Sequence, residues 1–293
     1  MTLSVRFWGT RGSVPAPGAS TVRYGGNTPC VEVRAAGEKL LIFDAGTGIR
    51  ELGRSLATRA AGAPIAADIF LSHAHWDHIQ GLPYFQPLFA RGNRFTIWTT
   101  TALMPAVDRA VREQMSPDVF PVPFDEVGAR VEFRALDDAH RGDGYLLRSL
   151  PVRHPGGALA YRVGDTGPGA NTKTKTFVYV SDNELGPAAG YPAGAGWRDE
   201  LVAFAQGASL LVHDAMYTVE EYGRHRGWGH SHIADTVALA LDAEVERLAL
   251  FHHSPDRSDD AVDQLVEECR GIVRQRGARM EVLAAAEGLT LTV

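Results

Sequence analysis

The stretch from Ile69 to Leu82, IFLSHAHWDHIQGL, brings His73, His75, Asp77 and His78 together directly behind a short apolar run. The chain has 11 histidines in 293 residues, so three of them in one short segment call for a chemical reason. Imidazole nitrogens and carboxylate oxygens are the ligand set of zinc and of somewhat harder divalent metals. His73 and His75 lie two apart, and on an extended backbone they project to the same side. Asp77 and His78 follow where the chain is expected to turn into a helix. The pattern differs from the helical pair of a HExxH zincin, whose histidines are spaced by one helical turn. Two histidines do not complete a metal shell, so further ligands are expected downstream. The alternative, a solvated histidine-rich turn, leaves so dense a group beside a strand end without a packing purpose.

Side chains converge at strand ends in layered α/β architectures, and three candidates stand there. His154 ends LPVRHPGG, Asp182 ends FVYVSD, and His252 with His253 ends RLALFHH. Singly, each reads as a hydrogen-bonded turn residue. Together with the first cluster they supply two complete shells.

The pattern SHAHWDH, followed by His154, Asp182 and His252, resembles the metallo-β-lactamase fold superfamily, whose hallmark is HxHxDH followed by His, Asp and His. The resemblance spans most of the chain, including the opening FWGTRGSVPAPG and LLIFDAGTG. It implies an α/β fold, a four-layer αββα sandwich, and two divalent metal ions, zinc first, with Mn2+ or Fe2+ open. His73, His75 and His154 would hold one ion, Asp77, His78 and His252 the other, with Asp182 bridging. His252 is preferred to His253 by its position after LALF, with Ser254 following, and His253 is the fallback. The best-known β-lactamases carry Cys where this chain has Asp182. A carboxylate there resembles the phosphodiesterase, ribonuclease Z, lactonase and glyoxalase II branches.

In ribonuclease Z-like phosphodiesterases an acidic residue in a HEAT-like segment is followed by a His-Ser-Thr motif opening a helix. This chain has Asp214 in HDAMY and His230-Ser231 in GHSH, with His232 where that Thr would stand. By that likeness His230 would donate to a phosphoryl oxygen or to the departing alkoxide near a helix start, and Asp214 would orient it. The simpler reading makes HSH a helix entry with Ser231 as N-cap and the histidines solvated. The activity implied is a binuclear phosphodiesterase using a metal-bridging hydroxide, oriented by Asp77, on a small phosphodiester or nucleotide. A hydrolase of carboxylic esters, thioesters or lactones is the alternative, and a non-catalytic metal-binding or sensory domain the second; seven ligands for two metals leave open positions, which favours catalysis.

Charge narrows the partners. Lys and Arg total 29 against 35 Asp and Glu, for a net charge of −6 and a pI near 6.0, so no global basic field grips nucleic acid. A tRNA substrate is not expected, because a long Gly/Pro-rich arm is also missing from the sequence. Cys30 and Cys269 match no CxxC spacing and suit a reducing compartment. No run of about 18 apolar residues offers a membrane span, and a cytoplasmic location is expected. The resemblance also implies a homodimer, which composition does not demand.

The elements that must position these groups are short apolar runs: LSVRFWG, CVEVRA, KLLIFDAG, DIFLSH, RFTIWTT, RVEFRAL, LLRSLPV, FVYVSD, SLLVHDA and RLALFHH. Helical periodicity marks GIRELGRSLATRAA, LMPAVDRAVREQM, WRDELVAFAQG, IADTVALALDAEV and the segment from Asp259 to Gly277. One domain over 1–293 is expected, with Val163–Thr176 as an exposed hairpin tip and a second Gly/Pro-rich loop after Asp182. Glycines 9, 12, 25 and 26 either let loops approach the metals, with Arg11, Arg23 and Asn27 facing phosphate, or are ordinary turns. Asp44 reads as an Asx-turn residue first and as a hydrogen-bond partner of a ligating histidine second. Trp76, Tyr84, Phe85 and Trp228 are candidates for a wall against a planar substrate group, with core packing as the other reading.

Overall fold

The computed structural model describes residues 3–136, 139–165, 175–187, 191 and 194–293. Strands β1 (Ser4–Gly9), β2 (Cys30–Arg34), β3 (Leu40–Phe43), β4 (Ala66–Phe70), β5 (Arg94–Thr100) and β6 (Arg130–Leu136) build one sheet. Strands β7 (Ala139–Gly142), β8 (Tyr145–Val152), β9 (Ala158–Asp165), β10 (Thr176–Val180), β11 (Leu210–Asp214), β12 (Arg247–Phe251) and β13 (Glu281–Ala284) build the second. The last strand, β14 (Thr290–Thr292), returns to the first sheet and pairs antiparallel with β1.

The helices flank the two sheets. α1 (Ile49–Ala60), the single turn α2 (Trp76–Ile79) and α3 (Met104–Glu113) share a buried apolar cluster with the first sheet. α4 (Trp197–Ala205), α6 (Ile233–Asp242) and α7 (Asp259–Gln275) share one with the second sheet, and α5 (Val219–Tyr222) is a short turn before α6. A third cluster lies between the sheets and takes residues from both. Three apolar layers between helix, sheet, sheet and helix give the expected αββα sandwich.

All ten apolar runs become strands and all five periodic segments become helices. Four strands fall outside those runs: β7, β13 and β14 carry too few residues to show a pattern, and the eight-residue β9, ALAYRVGD, is missed because Ala, Arg and Gly interrupt its apolar positions. The hairpin expected over Val163–Thr176 joins the antiparallel pair β9 and β10, but residues 166–174 lie outside the described ones, as do 188–190 and 192–193 of the second loop. Among the described residues no helix is long and apolar enough to cross a membrane.

Strand direction delivers the candidate ligands to one edge. β8 and β10 both run antiparallel to β9, and β11 and β12 run parallel to β10, so these four strands end on the same side. His154, Asp182, Asp214 and His252 stand at those ends. On the facing sheet β3 and β4 run parallel, and Asp44 and His73 follow their carboxyl ends. Open α/β sheets bind ligands in the crevice at the carboxyl ends of their strands.

The inter-sheet layer holds this edge in register. Phe43 packs against Phe70, Tyr161, Phe177 and Tyr179, with ring centroids 5.4 to 5.6 Å apart. Phe43→Ala is expected to lower unfolding free energy by about 3–5 kcal/mol, because it opens a cavity among rings of both sheets. Denaturant melts check this, with the exposed Val119→Ala expected to change stability by less than about 0.5 kcal/mol.

Candidate metal centre

The tight turn from β4 into α2 positions the HxHxDH segment. His75 is the N-cap of α2 in an extended conformation, and Asp77 and His78 lie inside that turn. His73, Asp77, His78, His154, Asp182 and His252 are buried, whereas His75 is exposed at the rim. Side-chain ligand atoms fall within 4.8 Å of one another in the groups His73/His75/His154, His73/His78/Asp182 and Asp77/His78/His252. Asp182 is the centre of the arrangement. Its carboxylate lies 3.1 Å from His78 Nε2, 3.4 Å from His252 Nε2, 3.7 Å from His154 Nε2 and 3.8 Å from His73 Nε2.

Hydrogen bonds behind the rings fix which nitrogen faces the centre. His154 Nδ1 donates to the Gly229 carbonyl at 2.9 Å, and His78 Nδ1 donates to Asp44 Oδ2 at 2.8 Å. Ser72 Oγ donates its one proton to Asp44 at 2.9 Å, so at its 3.0 Å contact with His73 Nδ1 the ring is the donor. In the neutral rings this leaves the Nε2 lone pairs of His73 and His154 turned inward. At His78 burial disfavours charge, but Asp182, Asp77 and Asp44 outweigh it and hold the pKa well above the usual histidine value, so a cation there would take the place of a proton.

The donor set fits a cation. His73 Nε2, His78 Nε2 and Asp182 Oδ1 are buried without a hydrogen-bond partner, and His154 Nε2 faces His75 Nδ1 across 2.9 Å. Unpaired buried lone pairs are costly unless something positive meets them. Burial lowers His73 well below the usual histidine value and holds His154 at about 4, so both keep their lone pairs at neutral pH. Burial opposes ionisation of Asp182, but the surrounding His252 and His78 outweigh it and hold the carboxyl well below its usual range. Asp77 behaves likewise beside His78 and His252, and its Oδ2 also accepts from the Ser13 amide at 2.8 Å.

His252 enters this group and His253 does not. His252 Nε2 lies 3.1 Å from Asp77 Oδ2, whereas His253 Nε2 donates to the Ala285 carbonyl at 2.9 Å. His252 takes a left-handed backbone, φ 56°, which turns its ring back toward the edge of the sheet. Gly12 makes room for it: a Cβ there would stand 2.3 Å from His252 Nδ1. The Gly12 amide donates to the His253 carbonyl at 2.9 Å, so the opening loop braces the last strand.

His230 and Asp214 sit beside the cluster. His230 Nδ1 donates to Asp214 Oδ2 at 2.9 Å, and its ring stacks on His252 at 4.8 Å. Burial works against a proton on His230, but Asp214, with Asp182 and Asp77 beyond it, overcomes this and holds the imidazole at about 9. Distance also groups Asp214, His230 and His252 as ligands. The hydrogen bond that commits His230 Nδ1 to Asp214 separates this pair from the others.

Several expectations are corrected. His232, not Ser231, caps α6: its ring accepts from the Asp235 amide, while Ser231 Oγ donates to the Asn183 carbonyl at 2.6 Å. Arg11, Arg23 and Asn27 do not face the centre. Arg11 is buried and donates to the carbonyls of Gly25, Ser254 and Arg257, Arg23 pairs with Asp260 and Asp263, and Asn27 binds Glu287. Asp44 takes its second reading: besides His78 it accepts from the Ser72 amide and from Tyr179 OH. Phe85 is fully buried against Phe95 and forms no wall, whereas Trp76, Tyr84 and Trp228 are 59%, 62% and 61% exposed.

Sequence reasoning missed Glu184. It is fully buried, and its carboxylate accepts from Tyr191 OH and Tyr222 OH, each at 2.6 Å, and from the Gly227 and Gly229 amides at 2.9 and 2.8 Å. Burial disfavours its charge, but these donors lower its pKa. Glu184 therefore pins the loop whose Gly229 carbonyl orients His154 and whose next residue is His230. Gly229 is required there twice over: its φ is +90°, and a Cβ would come within 2.0 Å of His154 Nδ1.

The fold and the convergent histidines and carboxylates define a metal-dependent hydrolase. A family model described as the beta-lactamase superfamily domain matches residues 40–253, and the chain belongs to that family. Within it the chain lies near the ribonuclease Z and phosphodiesterase branch. Ribonuclease Z of Haloarcula marismortui is 27% identical, over 92% of this chain and 92% of that protein. The metallo-beta-lactamase fold protein YhfI from Bacillus subtilis superposes with a TM-score of 0.68 at 18% identity, over 100% of each chain. A diphosphatase from the PhnP family gives 0.65 at 20% identity, over 99% of this chain and 97% of that one. Members of this fold family generally bind divalent metals, and the cluster described above could hold them.

Two variants test the geometry. Asp182→Asn is expected to lower bound metal more than His253→Asn, because only the first lies among the inward lone pairs; elemental analysis of purified protein reads this. Glu184→Gln places an amide against the Gly227 and Gly229 donors, and the expected result is a loss of activity of about 10-fold or more with the fold retained by circular dichroism.

Proposed function

We propose that the protein is a binuclear metal-dependent phosphodiesterase acting on a small phosphodiester or nucleotide. In this reading His73, His75 and His154 would hold one ion and Asp77, His78 and His252 the second, with Asp182 shared; five histidines among these residues favour zinc. When bound, a pair of divalent ions lowers the pKa of a water and neutralises charge on the attacking and leaving oxygens.

The observation that carries the reading is the His230–Asp214 pair, an imidazole fixed at 2.9 Å to a buried carboxylate and stacked on His252. A hydrolase needs a proton for the departing alkoxide, and His230 holds one where the scissile group would lie. Asp214 keeps the ring oriented through Nδ1, as carboxylates do for catalytic imidazoles. Asp214 is itself fixed by the Met216 amide at 2.9 Å and the Ser231 amide at 3.3 Å, so the donor is aimed before substrate arrives. Asp77, held by the Ser13 amide, orients the attacking oxygen or accepts its proton. A carboxylic ester or lactone also expels an alkoxide, so what favours the phosphodiester is the likeness of GHSH to the His-Ser-Thr segment of ribonuclease Z-like phosphodiesterases. The net charge of −6 supports a small diester over RNA, although the curated relatives carry the name ribonuclease Z.

An aryl phosphodiester, a lactone and a thioester, each assayed with and without EDTA, test the reading. Phosphodiester turnover that is abolished by EDTA and falls about 10²–10³-fold in His230→Ala, with bound metal unchanged, is the expected result. Turnover of the lactone or thioester alone overturns it, and faster cleavage of a structured RNA than of the small diester overturns the substrate size.

A further inference from the structure

Beside the candidate centre lies a groove of about 610 Å³ whose lining includes His75, Trp76, Tyr84, Gln114 and Phe120. We infer that this groove receives the base of a nucleoside arm of the diester, stacked against Trp76 and Tyr84. The inference rests on the phosphodiesterase reading above and adds to it the identity of the ester arm.

Position ties the groove to the chemistry. Trp76 stands between His75 and Asp77 in sequence and opens α2, so its backbone is fixed by the same turn that places two candidate ligands. Its ring is nonetheless 59% exposed, and Tyr84 in the same lining is 62% exposed with Phe120 set edge-on to it at 5.7 Å. Large rings left in water beside a reaction centre are surface held for a ligand, and every nucleobase has a face to stack on them.

Charge selects the arm. Among the lining residues Glu113 is the one carboxylate, and no lysine or arginine is present, so a second phosphate finds no partner here. An uncharged planar group does. Gln114 also lines the groove, but its amide oxygen and nitrogen are buried out of reach of a ligand there, so stacking on the exposed rings does the recognition.

The test compares two diesters with the same leaving group: the p-nitrophenyl ester of adenosine 5′-phosphate and methyl p-nitrophenyl phosphate. Wild type is expected to favour the adenosine ester, and Trp76→Ala to reduce the ratio of the two kcat/KM values by about 10-fold or more, mainly through KM. Tyr84→Ala, at a more remote exposed site, is expected to reduce the same ratio. Quenching of tryptophan fluorescence by adenosine 5′-phosphate, present in wild type and diminished in Trp76→Ala, gives a readout independent of turnover. A ratio unchanged in both aromatic variants, or equal losses on both diesters, overturns the inference while leaving the phosphodiesterase reading intact. Failure of wild type to hydrolyse either diester overturns both.

Discussion

Asp182 is a carboxylate taken wholly out of water and surrounded by imidazoles, four of which bring Nε2 to within 3.8 Å of it. Burying an ionised carboxyl is prohibitive unless positive charge meets it, and burying so many imidazole lone pairs has the same requirement. A cation standing between them would meet both demands at once. Every other feature of the edge serves that condition: four strands of one sheet end there together, and a loop from the other sheet closes over them.

The condition extends backwards into the core. Asp44 is fully buried at the end of β3 and accepts from His78, Ser72 and Tyr179. Tyr179 stacks in the ring cluster around Phe43, so a single carboxylate connects the inter-sheet packing to the tautomer of a candidate ligand. On the far side Glu184 does the same for the loop that carries His230, by gathering two tyrosine hydroxyls and two glycine amides. The site is thus bounded by two buried anions whose partners are all neutral donors or imidazoles.

The legible parts were those in which the chemistry is contiguous or periodic. HxHxDH shows itself because its ligand types crowd one segment, and the strands show themselves as apolar runs ended by His or Asp. Glu184 was not legible: in sequence it is one acid in a Gly/Pro-rich loop, and its partners lie up to 45 positions away. Asp44 looked like a turn residue because Ser72 and His78 come near it only once β3 and β4 pair. Arg11 and Arg23 suggested phosphate because arginine so often binds it, yet the fold uses them to tie loops to α7 and its approach. Phe85 misled for a related reason, since adjacency to Tyr84 in sequence says nothing about which of two neighbouring rings faces water.

The bracing of His252 by Gly12 has a consequence for the order of events in the life of the molecule. Arg11 donates to the carbonyl of Ser254, 243 positions further along the chain, and the same loop supplies the Ser13 amide to Asp77. Contacts so distant form late, since loop closure must precede their reward. During synthesis at roughly 5–20 residues per second, the HxHxDH segment is exposed for on the order of ten seconds or more before residues 252 to 257 leave the ribosome. Over that interval the nascent chain carries an incomplete ligand set. The cluster is complete only once residues 252 to 257 have folded back onto the opening loop.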